Sequence, residues 1–225
     1  MQMEEMILLN FVWKDLLNPE FYIQNGGLWL FLFIVFAETG LFAGFFLPGD
    51  SLLFVAGIYS NELAKYIFDT GYDFSNLMVL VILTTTAGVM GNILGYWFGR
   101  KVGPTMYHWK DRLLFKKKYL HQAHDFYEKH GGSAIVFARF LPIVRTFAPI
   151  VAGIVEMDKT KFSYYNIVGC IAWTVSMLFS GHYFYMFFLR KFDFDLKQHL
   201  EVIVLGIIFV TTAPVIFKII KGRSR

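Results

Sequence analysis

Cysteine is almost absent from this chain. The single Cys170 excludes an intramolecular disulfide, and a lone cysteine in an apolar run reads as a small core residue. Charge is scarce as well. Asp, Glu, Lys and Arg make up 17% of the 225 residues, where soluble domains carry about 25%. A basic leader is missing: the first charges are Glu4 and Glu5, and no small-residue cleavage site follows, so no signal peptide is expected. Nor is there an interleaved aromatic and basic face of the kind single-strand nucleic-acid binders use. The net charge of +4 comes largely from loops, so it speaks to membrane topology and anionic lipid rather than to nucleic acid. What is present is apolar. The chain is 56% hydrophobic and 19% aromatic, with a mean hydropathy of +0.49. These values predict an all-α polytopic membrane protein.

Along the chain, residues 4–17 place Met6, Ile7, Leu9, Phe11, Val12, Leu16 and Leu17 mostly around one side. The run is too short to span, since a bilayer takes roughly 20 residues. It predicts an interfacial amphipathic helix ended by Asn18-Pro19, within an N-terminal segment 1–27. Residues 28–46 nearly span. Pro48-Gly49 then breaks the run, and 51–59 is too short to cross again. A long arm, a break and a short arm predict a re-entrant helical hairpin over about 28–60. Broken backbone at membrane depth is tolerated where it is buried in protein or lines a cavity. Residues 77–98 predict a spanning helix, and Gly88, Gly91, Gly95 and Gly99 form a small-residue stripe that admits a close neighbour, internal or intermolecular. A homo-oligomer therefore stays open.

Orientation follows from the basic stretch 100–132. Arg100, Lys101, Lys110, Arg112, Lys116, Lys117, Lys118 and Lys129 outnumber Asp111, Asp125 and Glu128, which places this loop in the cytoplasm. Residues 133–155 repeat the opening theme, with breaks at Pro142 and Pro149 and charges at Arg139 and Arg145. Residues 163–188 span, 202–220 span, and the basic tail Lys218, Lys221, Arg223 and Arg225 puts the C-terminus of the segment 191–225 in the cytoplasm. These assignments close if 133–155 is a second re-entrant hairpin, entering from the cytoplasmic side. The two hairpins then face oppositely, and hairpin plus helix recurs as an inverted repeat in a transport domain 28–190. The competing topology makes 28–46 a full span with the N-terminus inside.

Four charges stand in this apolar setting. Glu38 and Asp50 belong to the first hairpin, Arg139 and Arg145 to the second. An ionisable group at the centre of a membrane helix costs at least ~2.5–3.5 kcal/mol on insertion scales, and so marks a site. Paired across the two hairpins the charges become tolerable and define a polar pocket. With Pro142 between them, both guanidiniums can converge. Their planar donor forks suit a phosphate, as does the N-terminus of a half-helix starting after the proline. The acids serve either as counter-charges or as groups that change protonation during transport. The alternative is four charges that lock the hairpins and touch no substrate.

Glu38, FLPGD at 46–50, GNILGYWFGR at 91–100 and ARFLPIVRTFAPIVAG at 138–153 resemble the DedA family of bacterial inner-membrane proteins, relatives of the VTT-domain lipid scramblases. The resemblance covers roughly residues 28–190. It implies two facing re-entrant hairpins, an essential acidic pair at Glu38 and Asp50, and essential arginines at Arg139 and Arg145. It also implies transport of lipid carriers, notably undecaprenyl phosphate, with dependence on the proton motive force. The chain departs from the pattern at Asn92, where many members carry an acid, and at His182 and Met186, where G-Y-x-x-G is expected.

Weaker signals point elsewhere. His121, His124 and Glu128 can share a helix face, but two histidines three apart with one Glu read as a solvated helix rather than a metal site. Ser180-Gly181-His182 resembles the S-G-H of membrane lipid phosphatases, without that class's partner motifs. Asn166, Gly169 and Trp173 on one helix face read as packing. The expectation is a non-enzymatic flippase of the inner membrane with a polyprenyl phosphate as substrate, no cofactor and no metal, and protons as a potential coupling ion. Alternatives are a non-selective phospholipid scramblase, a proton-dependent drug or ion antiporter, a lipid phosphatase and a membrane-integrity scaffold.

Overall fold

A computed structural model describes residues 19–41, 49–67, 70–107, 127, 132–192 and 196–199. The amphipathic helix expected over 4–17, Pro48, the histidines and lysines of 108–126, and the helix expected over 202–220 lie outside the described residues.

Within them the chain is helical. Helix α1 spans Pro19–Gly40 and is interrupted at Gly27 (φ 56°, ψ −152°). That left-handed conformation suits glycine, and the Tyr66 ring occupies the space a Cβ would need. Helix α2 is Gly49–Ile58 and α3 is Ser60–Ala64. Helix α4, Asp73–Tyr107, runs 35 residues, about 52 Å at 1.5 Å per residue. The basic stretch thus begins on this helix, with Arg100 and Lys101 in its last turns and not in a loop. Helix α5 is Ser133–Ala138, α6 is Pro142–Ile154 and α7 is Lys159–Phe192. A 3₁₀ turn follows at Leu196–His199. Helices α4 and α7 are long and apolar enough to cross a membrane.

The break expected at Pro142 is present. Leu141 is extended (φ −111°, ψ 106°) and Pro142 opens α6, where its missing N–H costs nothing. The break expected at Pro149 is not. Pro149 lies inside a continuous α6. Its ring is buried toward Gly95 of α4, so packing holds the helix together across the lost hydrogen bond.

The two long helices pack on each other, and each also takes one helix from each broken pair: α1 and α6 lie on α4, α2 and α5 on α7. Exchanging α1, α2 and α4 for α5, α6 and α7 maps this set of contacts onto itself. The closest crossings repeat in detail. Where α4 meets α6, Gly99 faces the Ile150 carbonyl and Gly153 faces the Tyr96 carbonyl. Where α7 meets α2, Gly181 faces the Phe54 carbonyl and Gly57 faces the Leu178 carbonyl. In both crossings each glycine meets the carbonyl three residues before its partner glycine. No side chain fits at any of the four positions. The glycine stripe of α4 is therefore used internally, since Gly91 likewise abuts Phe36 and Gly40 of α1.

The main core gathers Phe31, Val35, Leu52, Leu53, Leu80 and Leu178. A smaller one forms around Tyr96, Ile135, Ala152 and Phe162. The outside is apolar too, with Trp29, Phe33, Ile82, Met90, Phe137 and Phe187 at least half exposed. So much exposed apolar surface is a liability in water and the expected exterior of a helix bundle in lipid.

Candidate functional site

Three helix ends meet beside the middle of α7. Helix α1 ends just after Glu38, α2 begins at Gly49, and α6 begins at Pro142. Glu38 and Asp50 both form ion pairs with Arg145, one carboxylate on each terminal nitrogen of its guanidinium. Arg145 and Glu38 are buried, at 7% and 1% exposure, and Asp50 is half-buried. Glu38 lies against the backbone of Gly49, where any Cβ would overlap its carboxylate. That contact explains the glycine. It also seats an acid on the N-terminal turn of α2, where the helix dipole favours negative charge.

Trp173 of α7 joins the charges. Its Nε1–H donates to Asp50 Oδ1 at 2.9 Å. Its ring lies 4.9 Å from the Arg145 guanidinium carbon and 5.9 Å from that of Arg139. Both distances are within cation–π range. So the two arginines converge, as expected, and what they converge on is an indole.

The acids pair across the two chain breaks, but unequally. Both acids go to Arg145, and Arg139 has no carboxylate partner among the described residues. The reason is positional. Arg145 sits in the first turn of α6, facing the tips of α1 and α2. Arg139 ends α5, which packs on α7. There the absence of a side chain on Gly169 leaves room for the Arg139 stem. Its Nη2 donates to Asn166 Oδ1 at 2.8 Å, and Asn92 of α4 reaches the same amide at 2.6 Å. In the alternative amide orientation Asn92 instead turns its oxygen to Arg139, accepting from the guanidinium, and donates to the Thr39 carbonyl at 3.1 Å. Arg139 is 4% exposed. A buried cation is thus held by neutral amides and an indole, and Arg145 keeps an Nε–H with no acceptor among the described residues. Glu38 Oε2 is likewise without a partner, so the cluster holds one unsatisfied acceptor and one unsatisfied donor among the described residues.

Asn92, Asn166 and Trp173 are the members that sequence reasoning left out. The signal was available, since Asn166, Gly169, Cys170 and Trp173 recur three and four apart on one face of an apolar helix, where a buried amide needs a partner. His182, by contrast, lies away from the charges, nine residues beyond Trp173 or about 13 Å along α7. Its Nδ1 bonds Ser60 Oγ at 3.0 Å. Pro48, which should turn the first hairpin, lies outside the described residues.

With that geometry in place, comparison with known proteins adds the lineage. The VTT domain profile matches residues 26–183. The chain belongs to the VTT-domain family, the DedA proteins. It is similar to Protein DedA of Escherichia coli K12, with 36% identity over 208 residues, covering 89% of this chain and 87% of that protein. An uncharacterized membrane protein of Mycobacterium leprae is 35% identical over 198 residues, covering 88% and 82%. Inner membrane protein YqjA of Escherichia coli K12 is 32% identical over 182 residues, covering 78% and 76%. No solved structure matches. As a member of this family with two spanning-length apolar helices, the protein is a membrane protein. All four charged residues fall inside the matched segment.

Proposed function

We propose that the protein is a lipid transporter of the bacterial inner membrane. It binds the phosphate headgroup of a polyprenyl phosphate, undecaprenyl phosphate first among them, and moves it between leaflets. The observation that carries this reading is Arg139, a buried guanidinium without a carboxylate partner among the described residues, set beside a second arginine on the ring of Trp173. A phosphate there gains charge-assisted hydrogen bonds from planar donor forks. The polyprenyl tail stays in the bilayer, so only the headgroup needs a polar route.

In this reading α1–α2 and α5–α6 are re-entrant hairpins entering from opposite faces, and the C-terminus is cytoplasmic. The repeated glycine crossings and the exchange of packed helices support the inverted repeat. Glu38 and Asp50 share one arginine. Protonating either acid therefore leaves Arg145 paired with the other, which supports a role for them in proton coupling. No covalent step is involved.

The test is flux in liposomes holding purified protein, with a polyprenyl phosphate or a phospholipid as the labelled species, with and without a pH gradient. Polyprenyl phosphate should move faster than phospholipid, and faster still with the gradient. Arg139→Ala and Arg145→Ala should abolish that flux in folded protein. Equal movement of all lipids without a gradient would make the protein a non-selective scramblase, and proton flux without lipid would make it an antiporter. Normal lipid flux in both variants would refute the role of the arginines.

A further inference from the structure

The end of α4 carries a second polar feature, apart from the four charges. Ile93, Tyr96, Trp97, Arg100 and Lys101 recur three and four apart, which puts them on one face of the helix. Lys159 and Phe162 of α7 close the other side of a cleft of about 410 Å³. That is within the size range of small-ligand sites. Arg100 lies eight residues beyond Asn92, about 12 Å further along α4.

The cleft has an apolar wall and a cationic rim. Trp97 is 57% exposed, and the Lys101 ammonium sits over its ring at 5.1 Å. Arg100 Nη1 donates to the Tyr96 hydroxyl at 2.8 Å, and that hydroxyl donates on to the Met157 carbonyl. Tyr96 is stacked on Phe162 with centroids 4.3 Å apart, so the Arg100 head is anchored from below. Arg100, Lys101 and Lys159 have no ion pair with an acid among the described residues. The acid next to Lys159 in sequence is Asp158. It caps α7 by accepting from the Lys161 N–H at 2.9 Å. Three cations without acid partners among the described residues therefore face a cleft whose wall is isoleucine and indole. A tryptophan followed within four residues by Arg and Lys, at the end of an apolar span, is also the arrangement expected at a membrane–water interface.

The geometry points to a binding site for an anionic glycerophospholipid of the surrounding bilayer. Its phosphate lies between Arg100, Lys101 and Lys159, and an acyl chain runs along Ile93 and Trp97. A soluble phosphate would satisfy the rim but leave the apolar wall uncovered, so the occupant is a lipid. The site uses none of the four central charges and stands whether or not the protein carries polyprenyl phosphate.

Native mass spectrometry of the full chain, in detergent supplemented with phosphatidylglycerol or phosphatidylcholine, tests this. Wild type should retain phosphatidylglycerol over phosphatidylcholine. Each cation at a membrane surface contributes roughly fivefold in affinity, so Arg100→Gln/Lys101→Gln/Lys159→Gln should remove the preference. Trp97→Ala should weaken phosphatidylglycerol retention with the rim intact. A control, Lys65→Gln/Arg190→Gln/Lys191→Gln, removes the same charge from described residues outside the cleft lining and should keep most of the preference, and glycerol 3-phosphate should not compete. Circular dichroism and gel filtration confirm that each variant is folded. The inference is overturned by a rim variant that keeps the preference, by equal losses in the control, by full retention in Trp97→Ala, or by competition from glycerol 3-phosphate.

Discussion

Replacing Arg145 with glutamine removes the only cation that pairs with Glu38 and Asp50 among the described residues. The two acids do not suffer equally. The Asp50 side chain is 15% exposed and keeps its bond from Trp173 Nε1. The Glu38 side chain is 2% exposed, in a cradle shaped by Gly49. The stranded charge is therefore Glu38. Removing one partner of a buried pair costs about 3–5 kcal/mol, most of it from the unpaired charge left behind. Neutralising that charge should recover much of the loss. Glu38→Gln in the Arg145→Gln background is expected to regain at least about 2 kcal/mol, even though it removes a second native side chain. The assay is SDS-driven unfolding in mixed micelles, followed by tryptophan fluorescence, on wild type, both single variants and the double. The reasoning fails if Arg145→Gln unfolds at the wild-type midpoint, or if the double variant is as unstable as Arg145→Gln alone.

Other consequences are read more simply. Trp173→Phe keeps a ring beneath both arginines but loses the bond to Asp50. It should cost about 1–2 kcal/mol and slow lipid flux less than Trp173→Ala; equal effects would deny the ring a role, and a Trp173→Phe variant indistinguishable from wild type would deny the hydrogen bond one. Gly49→Ala forces Glu38 out of its cradle, so flux and unfolding midpoint should both fall although a single methyl is added. An unchanged midpoint would show that the carboxylate does not rest there. Gly99→Leu and Gly181→Leu sit at equivalent crossings and should destabilise by similar amounts, about 1–3 kcal/mol or more. A large effect at one site and none at the other would contradict the internal repeat.

Much of this was legible before folding. Glu38, Asp50, Arg139 and Arg145 stand out because charge is expensive in an apolar run; the structure brings Asp50 and both arginines onto Trp173 and Glu38 onto Arg145. Helices α4 and α7 follow from long apolar stretches. The Pro142 break follows because proline excludes the preceding residue from helix. Pro149 misled because local chemistry was weighed without the tertiary contact with α4 that keeps α6 intact. The pairing across the two hairpins was legible, but its distribution was not: position along α5 and α6 gives both acids to Arg145. Trp173, Asn92 and Asn166 were missed because an aromatic or an amide on a helix face looks like packing until its partners are known. One sequence signal went unread. Phe-Val-Ala-Gly at 54–57 and Ile-Val-Ala-Gly at 150–153 carry the two glycines that make the matched crossings.

The most direct test of Arg139 as the anion site is a binding comparison between a polyprenyl phosphate and the corresponding polyprenol, which lacks only the phosphate. Wild type should prefer the phosphate by at least tenfold, about 1.4 kcal/mol. Arg139→Ala should bind the two alike while still binding the polyprenol as wild type does. A full phosphate preference in folded Arg139→Ala would show that the headgroup is recognised elsewhere.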